Sequence, residues 1–99
     1  MNKLYILHEL PKKIDVITYM TSENEEVSYR VCIGIDSMKE DVFISYNIKQ
    51  ATLKHFECVE LMERCIERYP IYPPEQIVDM FKFSFKVAAV IKLMGENDL

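Results

Sequence analysis

The sequence predicts an α+β domain: a mostly antiparallel, three- to four-stranded sheet in the N-terminal half, covered by two C-terminal helices. Three observations carry this. Val27–Ile35 alternates, with Val27, Tyr29, Val31, Ile33 and Ile35 on one face and Ser28, Arg30, Cys32 and Gly34 on the other. Helical periodicity is absent before Ala51 and dominates after it. The connections between the later apolar runs are too short for crossover helices, which favours an antiparallel meander.

Taken in order, Leu4–His8 is a short apolar run ended by the polar break Glu9–Lys13, which contains Pro11. Ile14–Met20 is rich in β-branched and aromatic residues. Thr21–Glu26 is a charged turn, followed by the alternating strand Val27–Ile35 and a second turn over Asp36–Glu40. The last strand spans Val42–Ile48, with Val42, Ile44, Tyr46 and Ile48 inward and Phe43, Ser45 and Asn47 outward. With only two glycines in the chain, tight turns must place Asn24, Asp36 or Asn97 at positive φ instead.

The first helix spans about 51–69. Steps of about 100° per residue put Ala51, His55, Cys58, Val59, Met62, Cys65, Ile66 and Tyr69 on one face and Glu57, Glu60, Glu63, Arg64, Glu67 and Arg68 opposite. Leu53 and Phe56 fall off that apolar face. Pro70 ends the helix. Pro74 opens the second, which runs over about 74–94 to Gly95 as C-terminal stop. Glu75, Asp79, Lys82 and Lys86 form its narrow polar stripe. Because the rest is apolar, this helix is expected at the centre, wedged between sheet and first helix. Glu96–Leu99 is a polar tail, and residues 1–99 make one domain with strands over about 3–48.

A net charge of −4 disfavours a phosphate backbone as a generic partner. Three cysteines exclude a fully paired intramolecular framework, and reduced cytoplasmic thiols are expected, with one disulfide plus a free thiol, or a link between chains, as the alternatives. The apolar run at the N-terminus is too short for a signal-peptide core, and Asp79, Lys82, Lys86 and Lys92 interrupt the second helix as a membrane span. A soluble, cytoplasmic protein follows.

His55, Cys58 and Cys65 share one helical face, but the two cysteines stand roughly 10 Å apart along the axis at about 1.5 Å per residue. One zinc ion does not bridge that span without distorting the helix, so packing is the expected role. His8 is the other histidine, and nothing places it near Cys32. Phosphate-loop, dinucleotide and zinc-protease motifs are absent, and no catalytic, metal or cofactor-binding residue is assigned. Phe43 and Arg30 on the wetter sheet face raise single-stranded nucleic acid as an alternative partner.

In length, in richness of Ile, Glu, Lys and Tyr, and in scarcity of glycine, the whole chain resembles small orphan proteins of filamentous viruses that infect acidophilic, hyperthermophilic archaea. Tyr29-Arg30-Val31-Cys32-Ile33 and Tyr69-Pro70-Ile71-Tyr72-Pro73-Pro74 carry the likeness. AT-rich phages and bacteria produce the same composition. The resemblance implies a stable, virus-encoded accessory protein working in the host cytoplasm and assigns no site residues.

The expected function is therefore non-enzymatic protein–protein interaction, as a homodimer and with a host or viral protein. Phe83, Val90 and Met94, or Leu53 and Phe56, are the candidate self-interface. Glu57, Glu60, Glu63 and Glu67 are a candidate acidic docking face for a basic partner, and Leu4–His8 is a candidate edge strand for pairing or swapping. An enzyme of unrecognised type is the third alternative.

Overall fold

Four strands, β1 (Asn2–Leu10), β2 (Ile14–Glu23), β3 (Glu26–Ile35) and β4 (Met38–Ser45), form one antiparallel sheet in the order β1-β2-β3-β4. Two helices follow, α1 (Ile48–Arg68) and α2 (Pro74–Asn97). The computed structural model describes residues 2–97. This is the α+β arrangement expected from the sequence, with both helices on the same face of the sheet.

The turns solve the shortage of glycine as anticipated. Asn24 and Glu25 turn β2 into β3 with φ of 51° and 68°, and Asp36 turns β3 into β4 with φ 54°. The β1–β2 connection is a single 3-10 turn over Pro11–Lys13, with Lys12 and Lys13 also left-handed at φ 64° and 59°. Left-handed backbone costs a non-glycine residue about 1–2 kcal/mol. Here the conformation carries the Lys12 ammonium to the α1–α2 connection, where it donates to the carbonyls of Pro70 and of Tyr72, the latter at 2.8 Å. The sheet corner and the helix connection are thereby tied together.

The core lies between the sheet and the helices. Ile14, Val16, Val31 and Ile33 from β2 and β3 meet Cys58, Val59, Met62, Cys65 and Ile66 of α1 and Ile77, Val78 and Phe81 of α2. The buried face of α1 is the one its periodicity defines. Among the described residues, no helix lies on the opposite face of the sheet. There Cys32 donates to Asp41 at 2.9 Å, Arg30 pairs with Asp41 at 3.2 Å, and Lys39 donates to the Tyr19 hydroxyl.

Four expectations are corrected. β4 presents its residues the other way. Val31 pairs with Phe43 but Cys32 pairs with Asp41, so Val42 is an extra, bulged residue. A one-residue slip exchanges the faces of a strand. Val42 and Phe43 therefore both pack against the core, while Ile44 and Tyr46 are exposed. Second, Ile48 belongs to α1 rather than to a strand. The Asn47 side chain caps the helix, accepting from the amides of Lys49 and Gln50 at 2.9 and 3.1 Å. Third, Gly95 does not stop α2, which continues through it to Asn97. Of the polar tail expected over Glu96–Leu99, the last two residues lie outside the described residues.

Fourth, α2 is not the central element. α1 crosses β2, β3 and β4, whereas α2 packs at the flank, against α1 and β3. Among the described residues of α2 only Ile77, Val78 and Phe81 are buried, and residues 86–95 are exposed throughout.

Candidate interaction surface

An apolar helix at the edge of a fold has two sides to account for. The inner side of α2 is held by its own molecule: Ile77, Val78 and Phe81 lie in the core with Phe85 packed against it, and Lys82 bonds Glu40 of β4 at 2.9 Å. That hydrogen bond also raises the pKa of the Lys82 ammonium. Stepping about 100° per residue, Met80, Phe83, Val87, Val90 and Met94 lie on the side opposite Phe81 and Phe85. Phe83 is 72% exposed, Val90 54% and Met94 60%. Ile91 and Leu93 flank them, also exposed. The structure thus brings together three of the five proposed interface residues.

Leu53 and Phe56 form a separate patch on α1, beside β1. Leu53 lines a shallow recess with Tyr5, Ile48, Lys49 and Thr52. Phe56 is partly occupied, standing edge-on to His8 and His55 with ring centroids 5.4 Å away in each case. The four glutamates of the acidic face line different recesses. Glu57 and Glu60 border the groove between α1 and α2, with Leu61, Phe85, Ala88 and Ala89 among its other walls. Glu63 and Glu67 border a recess with Leu10 and Pro11. Glu57 pairs with Lys54 at 2.9 Å and Glu60 with Arg64 at 3.7 Å. At such exposure these pairs contribute little to stability, but they offset half of the acidic charge.

Phe43, expected on the wet side for base stacking, faces the helices instead, with the Lys54 ammonium 5.3 Å from its ring centre. Arg30 does lie on the open sheet face, in its ion pair with Asp41. Among the described residues no helix is long and apolar enough to cross a membrane.

The strongest polar feature was missed in sequence. His55 is wholly buried; its Nδ1 lies 2.7 Å from the Thr18 hydroxyl and its Nε2 lies 2.8 Å from Nδ1 of half-buried His8. Burial, with the neighbouring His8, pushes the His55 pKa down to about 4. The imidazole is therefore neutral at neutral pH and satisfied at both nitrogens. Two hydrogen-bond directions fit the row: Thr18 to His55 to His8, or the reverse. The missed signal was parity: pairing of Ile6 with Thr18 and His8 with Val16 puts His8 on the helix-facing side, opposite the only histidine of α1.

The thiols are protected rather than activated. Cys32, Cys58 and Cys65 are all free and buried. Burial pushes Cys32 and Cys58 up to about 12, with the Asp41 carboxylate adding to the shift at Cys32, and burial also raises Cys65. A nucleophilic cysteine requires the opposite shift. His55 and Cys58 serve the core, as their helical face implied.

No protein-family model, curated protein or solved structure matches this chain.

Proposed function

We propose that this protein works by protein–protein contact, without chemistry of its own, and that its first partner is a second copy of itself. The supporting observation is the bare apolar side of α2. Phe83, Val87, Val90, Ile91, Leu93 and Met94 all leave more than a third of their surface exposed. At roughly 100 Å² apiece they present on the order of 600 Å² of apolar surface, the top of the range for a monomer's largest patch. A standard interface takes about 800 Å² from each partner. Leaving such a helix face in water forgoes stabilisation of about 25 cal/mol per Å². The reading places the dimer in the cytoplasm, as an accessory protein of the kind the viral resemblance implies.

Sedimentation of the wild type and of Val87→Asp/Val90→Asp tests it. Both positions are exposed, so the variant is expected to keep its helical circular dichroism while losing association. Equal sedimentation of the two proteins at every concentration would remove this face from the function.

A further inference from the structure

The geometry points to one arrangement of that dimer: two α2 helices packed antiparallel about a two-fold axis, seam to seam, crossing near Phe85. This rests on the self-association just proposed and specifies its surface.

The spacing argues first. Met80, Phe83, Val87, Val90 and Met94 follow one another at intervals of three, four, three and four residues. That is the alternation of a coiled-coil seam, which keeps one apolar line facing a partner helix. The first four are also symmetric in sequence about position 85. When the helix is laid against an inverted copy of itself, Met80 meets Val90 and Phe83 meets Val87, twice each. An isologous contact requires this self-complementarity. Ile91 and Leu93 lie on either flank and widen the contact.

Charge selects the direction. Glu75 and Asp79, near the N-terminal end of α2, and Lys86, just past its middle, lie beside the seam, whereas Lys82 is held by Glu40 and Asp79 of its own molecule and Lys92 lines the groove towards α1. In a parallel, in-register pair Glu75, Asp79 and Lys86 each face their own copy, and the helix dipoles point the same way. Inverting one helix moves Glu75 and Asp79 away from their own copies and sets the helix dipoles head to tail. Only Lys86 remains near its own copy.

The body of the protein permits the approach. The seam is the side of α2 opposite the one its own molecule covers, and residues 86–95 stand clear of the core. A Cβ added at Gly95 meets nothing within 4 Å, so a probe there leaves the packing undisturbed.

Spin labels on Lys86→Cys and, separately, on Gly95→Cys test the arrangement, since both sites are exposed and the native thiols are buried. Helices pack about 8–10 Å apart, so the Lys86 pair is expected at roughly 10–20 Å with label arms included. Gly95 lies ten residues from the axis, so its pair is separated by about 30 Å along the helices at about 1.5 Å per residue. Short distances at both sites would mean a parallel pair and overturn the inference. A dimer by mass with neither distance short would place the contact elsewhere, overturning this arrangement but not self-association. A monomer by mass, with no interchain distance, would overturn both.

Discussion

Acidification offers a sharp perturbation of the fold, because one buried histidine must stay neutral. His55 is 0% exposed and hydrogen-bonded at both ring nitrogens, and its pKa falls from the ordinary 6.5 to about 4. The unfolded chain therefore binds a proton at a pH where the native state does not. For a depressed histidine pKa, the contribution to stability is complete above pH 6.5 and is lost as pH falls from there towards 4. One pKa unit corresponds to 1.36 kcal/mol. Between pH 7.5 and pH 5 this linkage removes roughly 2 kcal/mol, and about 3 kcal/mol by the time the native histidine itself titrates. Urea denaturation at pH 7.5 and 5.0 measures it, with His55→Gln as the reference that does not titrate. The wild type is expected to lose about 2 kcal/mol more than the variant across that interval. Equal losses, or an imidazole resonance assigned to His55 that titrates above pH 6, would refute the argument.

Three further outcomes are expected. Phe81→Ala empties the fully buried centre of the α2 contact and lowers stability by about 3–5 kcal/mol in urea melts. Asn47→Ala removes the cap that holds the Lys49 and Gln50 amides, costing about 1 kcal/mol by the same assay with no loss of native helix content. The native thiols are expected to react with iodoacetamide at pH 8 about a hundredfold or more slower than in urea, and a thiol modified at the denatured rate would contradict their burial.

Much of the architecture was written in alternation and turn chemistry. The faces of β3 follow from Tyr29, Val31, Ile33 and Ile35 alone, and the need for positive φ without glycine pointed to Asn24 and Asp36. The buried face of α1 was equally plain from its period. Where the sequence misled, a local signal lost to a feature of the whole sheet. The alternation from Val42 onward was genuine, but the bulge at Val42 moved Phe43 inward and Ile44 out. The start of α1 was legible as Asn47 followed three residues later by Gln50, a capping pattern masked by the apolar run that precedes it.

The position of α2 was harder to read. An apolar helix is central only if other elements suffice to surround it, and one sheet already carrying α1 does not. Phe83, Val90 and Met94 were recognisable as surplus, whereas their place at the flank depended on how α1 covers β2 to β4. The pairing of His8 with His55 required the β1–β2 register, which no single segment encodes.

A second copy of the chain covering the bare side of α2 would show first in the mass of the protein in solution. Light scattering of the wild-type protein at low and high concentration, in reductant, tests it most directly. Twice the 11.7 kDa chain mass is expected, unchanged by reductant because the buried free thiols take no part. A mass of one chain at every concentration would contradict it.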